Sequence, residues 1–261
     1  MAQRVAVVSG GTGGLGTAIC IALAERGCKV FAADIAGSPA PDEARPDEAR
    51  PDEAGPDETF RAATAGHDVA AVALDVTDFD ACAALVADLE RAHGAVDILV
   101  NAAGITRDTA LRKMDKAQWD AVLSVNLDGV FNLTRAVIEG MLARGFGRVV
   151  NISSVNGQTG QFGQANYSAA KAGMHGFTMA LAREVARKGV TVNSISPGYC
   201  ETAMVMAMPD DVRAGIVDKV PVGRLGRPEE IARTVAFLAA DDAGFITGAN
   251  IPVNGGLFMS F

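Results

Sequence analysis

Short runs in which nearly every position is apolar alternate along this chain with longer stretches in which apolar residues return every three or four positions. The short runs are RVAVVSG (4–10), KVFAAD (29–34), VAAVALDV (69–76), VDILVNAAG (96–104), GRVVNISS (147–154), VTVNSISPG (190–198) and ANIPVNGG (249–256). They read as strands, and their largely unbroken apolar character suits strands buried on both faces. The longer stretches read as helices: LGTAICIALAERG (15–27), FDACAALVADLERAHG (79–94), one at 116–145, one at 166–189, and PEEIARTVAFLAA (228–240). Gly closes many of them, as a residue that ends a helix should. This β-α-β alternation predicts an α/β protein. It should have a single doubly wound parallel sheet of about seven strands, with right-handed crossovers and helices on both faces.

One stretch breaks the alternation. Between the second and third strands stands PDEARPDEARPDEAGPDE, residues 41–58. A Pro at every fifth position removes backbone donors and prevents one continuous helix. Each unit supports at most one helical turn, with Pro first and acids near its N-terminal end. Charge and lack of apolar residues predict a disordered insertion. Closure entropy grows slowly with loop length, so an expanded repeat survives on the surface without a task.

Length changes the picture little: 261 residues suit one large domain, 1–261, with 49% hydrophobic positions to build its core. The net charge of −8 is mostly local, because the repeat holds eight acids against two arginines. What remains is not basic enough to predict a nucleic-acid partner. Cys20, Cys28, Cys82 and Cys200 form no CxxC pair, and His67, His93 and His175 are scattered, so no metal site is expected. The N-terminus enters a strand without a signal-peptide layout, and no apolar run reaches the roughly 18 residues of a membrane span. A cytoplasmic protein without a membrane partner is expected.

The candidate chemistry lies at two ends of one crevice. SGGTGGLG (9–16) follows the first strand and opens a helix. There Gly10, Gly14 and Gly16 permit a tight turn, close approach to a pyrophosphate, and close helix–sheet packing. The helix N-terminus adds unpaired N–H groups and a positive dipole end. Asp34 ends the second strand, 18 residues past Gly16, near the spacing of an acid that binds a ribose 2′-OH. A carboxylate there repels a 2′-phosphate. NAD(H) is therefore favoured, with NADP(H) left open.

The other end carries YSAAK, in which Tyr167 and Lys171 share one helix face. An ammonium beside a phenol favours the phenolate. Such a Tyr can protonate a carbonyl oxygen as hydride arrives, or deprotonate an alcohol in reverse. Ser154 ends the fifth strand, at the sheet edge that faces the ligand crevice, where its hydroxyl can hold a substrate oxygen. Asn126 falls mid-helix, an unfavourable place for Asn unless its amide is used.

Together SGGTGGLG, NAAG (101–104), Asn126, Ser154, YSAAK and PG (197–198) resemble the short-chain dehydrogenase/reductase family, a Rossmann-type fold, over nearly the whole chain outside the repeat. The resemblance implies a tetrad. Tyr167 is the acid/base, Lys171 lowers its pKa and holds the nicotinamide ribose, Ser154 orients the carbonyl, and Asn126 holds a water in a proton relay. It implies cofactor contacts from Gly10, Thr12, Gly13, Gly14, Leu15 and Gly16, and from Asp34. Further contacts are Asp75 and Val76 near adenine, Asn101, Ala102 and Gly104 near the central strands, Pro197 and Gly198, and Thr202 at the carboxamide. Two positions depart from the family: Ser9 stands for the usual Thr, and Ala102 for the second Asn of NNAG.

A narrower likeness joins GITRDTALRKM (104–114), NISSVNGQTGQFGQANYSAAKAGMHGFTMALA (151–182) and TVNSISPGY (191–199) to the acetoacetyl-CoA reductases of polyhydroxybutyrate synthesis. It implies an acyl-CoA substrate, with Gln161, Phe162, Gln164 and Tyr199 lining the acyl pocket beside Asp108. Arg107 and Lys113 are candidate CoA phosphate partners. It also implies a small lid at about 200–221 and a homotetramer, with the two longest helical stretches as candidate contacts. That subfamily usually takes NADPH, which conflicts with Asp34; the direct repulsion of charge favours NADH. Four alternatives stay open here: a 3-oxoacyl-[acyl-carrier-protein] reductase, a polyol or hydroxysteroid dehydrogenase, a non-catalytic NAD sensor, and a scaffold that docks partners through the acidic repeat. A sensor has no use for Tyr167 and Lys171 together.

Overall fold

The computed structural model describes residues 3–35 and 58–259. All but the last residue of the acidic repeat lies outside them. Seven strands form one parallel sheet: β1 Val5–Ser9, β2 Lys29–Asp34, β3 Val69–Ala73, β4 Ile98–Asn101, β5 Gly147–Ile152, β6 Val190–Pro197 and β7 Asn250–Val253. Their spatial order is β3-β2-β1-β4-β5-β6-β7. The order reverses between β1 and β4, whose register pairs Val8 with Val100 and Ser9 with Asn101. Beyond the carboxyl ends of these two strands the connections leave in opposite directions and open a crevice.

Among the described residues, ten α-helical segments join the strands. They are α1 Gly14–Ala24, α2 Glu58–Ala63, α3 Phe79–His93, α4 Lys116–Leu123, α5 Gly129–Arg144, α6 Asn156–Thr159, α7 Ala165–Val185, α8 Ala203–Met206, α9 Asp210–Val217 and α10 Pro228–Leu238. The expected lid at about 200–221 contains α8 and α9. Strand alternation divides the core into two layers. Val5 and Val7 of β1 face Cys82, Val86 and Leu89 of α3 and Leu133, Val137 and Met141 of α5. Ala6 and Val8 face Ile19 and Leu23 of α1 and Ile231, Val235 and Leu238 of α10. The edge strand β3 departs from the expected two-sided burial, with Ala70, Ala71 and Ala73 exposed. An edge strand has a neighbour on one side only.

One expectation is corrected. The pattern at 116–145 predicted a single helix, but a π turn, Ser124–Asp128, separates α4 from α5. By length and composition Lys116–Arg144 passes as a membrane-crossing helix, with half of its most apolar window buried inside the fold.

Candidate active site

The phosphate cradle follows from where side chains are forbidden. Gly10 leaves β1 at φ 63°, and a Cβ there would lie 2.8 Å from the Ala103 Cα. At Gly16 a Cβ would come 2.0 Å from the Gly10 carbonyl oxygen, so only glycine lets α1 start this close to β1. Gly14 is different. A Cβ there would meet nothing nearer than Thr202 Cγ2 at 3.5 Å, an ordinary contact. The fold does not require glycine at 14, and the bare backbone there leaves room for a ligand to approach. The N-cap of α1 is Gly13, and no side chain caps the first turn. An uncapped N-terminus at Gly13, Gly14 and Leu15 is the donor set that a pyrophosphate needs, so these residues fit a dinucleotide. Thr202 lies over this turn, and its side chain does not cap α8.

Around the cradle, Asp34 is fastened to the glycine turn. Its Oδ2 accepts from Thr12 Oγ1 at 2.6 Å and from the Thr12 amide at 3.2 Å, while Oδ1 accepts from the Ile35 amide. Asp75 is exposed and holds Thr77 through its amide and hydroxyl. Val76 is buried beneath it, with its carbonyl accepting from Asn132 Nδ2 at 2.9 Å. Asn101 turns its side chain into the fold. Its Nδ2 donates to Asn151 Oδ1 at 2.8 Å and Thr134 Oγ1 at 3.1 Å, bracing β4 against β5 and α5. Its buried Oδ1 has no partner. Ala102 offers no amide side chain. Instead the Ser9 hydroxyl accepts from the backbone of Ala102 and Ala103 at 3.1 and 3.2 Å, stitching the ends of β1 and β4. Gly198 packs on Asn254, where a Cβ would sit 2.9 Å from Cα. The Pro197 carbonyl accepts from the Val155 amide at 2.8 Å.

The four tetrad residues converge on one wall of the crevice. Asn126 is fully buried inside the π turn and exchanges two hydrogen bonds with one residue, accepting from Ile105 N and donating to Ile105 O at 2.8 and 2.9 Å. Meeting that loop is the physical reason for the extra residue in the turn, and π bulges often mark functional positions. A Cβ on Gly104 would lie 3.2 Å from Asn126 Oδ1 and 3.4 Å from Lys171 Nζ, so the bare glycine sits between the two side chains. Lys171 is buried, donates to the Ile152 carbonyl at 2.8 Å, and carries its nitrogen 5.5 Å from the Tyr167 ring centroid. Ser154 accepts from the Asn156 amide at 3.1 Å, and its hydroxyl faces the Tyr167 phenol closely enough to favour the ionised phenol.

The electrostatics correct one expectation. Lys171 does not make Tyr167 acidic in the ligand-free protein. Burial pushes the phenol up; the neighbouring Ser154 hydroxyl opposes this, and Asp108 and Tyr199 add to it. Burial alone brings Lys171 down to about 7. Withdrawal from water disfavours the charged form of both groups. Neutral Tyr167 is the proton-donating form.

On the substrate side, Gln164 Nε2 donates to Asp108 at 2.7 Å, and Gln164 Oε1 accepts from Asn156 Nδ2 at 2.9 Å. Asp108, Gln164 and Tyr199 thus gather near the tetrad. The side chains of Gln161 and Phe162 are exposed, Phe162 by 90%. Arg107 is exposed and its guanidinium returns to the Thr106 carbonyl. The sequence reading missed Ile105, the Ile152 carbonyl and Asn156. Backbone partners leave no residue-type signal, and Asn156 has none until the turn before α6 is built.

The chain belongs to the short-chain dehydrogenase/reductase family of nicotinamide-dependent oxidoreductases. Residues 10–258 match the family model described as enoyl-(acyl carrier protein) reductase. The chain is 57% identical over 256 residues to an acetoacetyl-CoA reductase of Allochromatium vinosum, covering 98% of this chain and 99% of that protein. It is 51% identical over 259 residues to the acetoacetyl-CoA reductase of Cupriavidus necator, covering 99% and 100%. It is also similar to a 3-oxoacyl-[acyl-carrier-protein] reductase of Vibrio cholerae, 43% identical over 256 residues and 98% of each chain.

Proposed function

We propose that this protein reduces acetoacetyl-CoA to (R)-3-hydroxybutanoyl-CoA and prefers NADH to NADPH. The observation that carries the catalytic half is the convergence of Asn126 and buried Lys171 on Gly104, with the Lys171 nitrogen 5.5 Å from the Tyr167 ring centroid. Ser154 holds the ketone oxygen. Tyr167, kept protonated by burial, gives it a proton. Lys171 and the first turn of α1 hold the cofactor, and Asn126 keeps the Ile105 loop in place. The nicotinamide, when bound, supplies the hydride. The substrate half is supported by relatives named acetoacetyl-CoA reductase at 57% and 51% identity.

The cofactor half rests on Asp34. Two donors from Thr12 hold its carboxylate at the end of β2, where the extra charge of a 2′-phosphate meets direct repulsion. Initial rates of acetoacetyl-CoA reduction with NADH and NADPH side by side test both halves. The expected NADH preference should fall at least tenfold in Asp34→Ala, and an unchanged ratio refutes the cofactor argument. The carrier-protein reductase at 43% identity motivates a second reading. Faster turnover of carrier-protein thioesters than of CoA thioesters would favour it. The proposal includes a cytoplasmic homotetramer. Four free, buried cysteines support a reducing compartment, and an exposed Phe79–Phe131 stack on the outer face of α3 and α5 supports subunit contact.

A further inference from the structure

Asn166 immediately precedes Tyr167 in the first turn of α7 and is completely buried. Its Oδ1 accepts from the Tyr167 amide at 2.8 Å, which satisfies one of the open donors of a helix start. A residue that only capped α7 would need nothing more. Yet the Asn166 Nδ2 donates to two carbonyls outside the helix, Gln118 O at 3.1 Å in α4 and Arg107 O at 3.3 Å in the loop after β4. That loop is also held two residues earlier, where Asn126 exchanges both hydrogen bonds with Ile105. One short backbone segment is therefore clamped between two buried amides, one from the tetrad and one adjoining it. The Asp108–Gln164 bond and the Thr109 amide on the Gly163 carbonyl, both 2.7–2.8 Å, fasten the same segment to the start of α7.

We propose that Asn166 is a positioning residue. Through the 105–109 segment it sets the placement of Tyr167 relative to Asn126 and Ser154. The inference rests on the reading of Tyr167 as the proton donor. Its mechanism is geometric. Without the Nδ2 bonds the first turn of α7 keeps its helical form but is held to the loop only through residues 108–109, on one side of the clamp, and small misplacements of a reacting group cost large factors in rate.

The variants Asn166→Asp and Asn166→Ser separate the two uses of the side chain. Each retains an oxygen that can cap the Tyr167 amide, and neither reproduces both donations to Arg107 and Gln118. Ser is neutral and serves if a buried carboxylate prevents folding. The measurements are kcat and KM for acetoacetyl-CoA, melting temperature, and the dissociation constant of NADH by fluorescence titration. The expected result is a fall in kcat of at least fivefold with NADH affinity within twofold of the parent. A smaller fall in a folded variant overturns the proposal. So does a fall accompanied by an equal loss of NADH affinity, which would mark general structural support. Tyr167→Phe is measured in parallel. Lost turnover there with full kcat in the Asn166 variants sinks the positioning role alone; retained turnover there sinks the assignment of Tyr167 and this inference with it.

Discussion

At the amino edge of the sheet, Arg4 and Arg148 lie 3.5 and 4.4 Å from the Phe146 ring centroid. Arg4 pairs with Asp97 and Asp241, and Asp97 also accepts from the Val5 amide. Arg148 is buried and donates to the carbonyls of Gly147, Gly189, Ala240 and Asp241. At the carboxyl edge Lys171 is equally buried but faces one carbonyl and no carboxylate, and α1 starts without a side-chain cap. Both edges bury a basic side chain. At the first edge the hydrogen-bonding capacity is used up within the protein; at the second it is left open. Unspent donors in a buried site disfavour the ligand-free fold, and they bind a ligand strongly because nothing must be broken first.

The contrast can be tested, beginning with the largest expected effect. Lys171, lowered from 10.5 to about 7, is neutral in the folded protein and protonated in the unfolded chain across that interval. The unfolded state then binds more protons, so stability rises with pH, by up to about 1.4 kcal/mol per pH unit. Buried thiols act in the opposite sense. Cys20 and Cys82, pushed up to about 12 and about 11, stay protonated in the fold while the unfolded chain loses those protons. Comparison with Lys171→Met cancels them. Urea unfolding of both proteins at several pH values from 7 to 10, without cofactor, should give a steeper rise for the parent. Equal slopes would mean that Lys171 stays charged in the fold.

The amino edge should respond in stability alone. Arg148→Ala strands several carbonyls and should cost about 2–4 kcal/mol in unfolding free energy. The kcat of the protein that remains folded should be unchanged. A loss of kcat at full stability would show that the two edges are coupled. The smallest effect belongs to Gly14→Ala. The methyl has room within the protein, 3.5 Å from Thr202, so the melting temperature should hold. NADH affinity should drop about tenfold, or ~1.4 kcal/mol, because the methyl occupies the phosphate approach. Unchanged affinity, measured by titration calorimetry, would remove Gly14 from the cradle.

The runs of β1 and β2 were legible because strands buried on both faces are apolar at nearly every interior position. The glycine turn and YSAAK were legible because each carries its geometry within a few residues. The break at Asn126 was not, because the hydrophobic period continues across 116–145 and only contact with Ile105 inserts the extra residue. Nor was the direction of the Tyr167 shift. Helix spacing does place Lys171 beside the phenol, but spacing carries no measure of burial.

The order of apolar and polar residues determined the sheet and the position of its crevice, and short motifs with the family resemblance marked the four side chains beside it. These follow from periodicity and from short motifs whose geometry is local. Tertiary structure alone decided how those side chains are held and charged. The partners are backbone atoms of Ile105, Arg107, Gln118 and Ile152, distant along the chain and anonymous in residue type. Desolvation, which governs Lys171 and Tyr167, is a property of the packed volume around them.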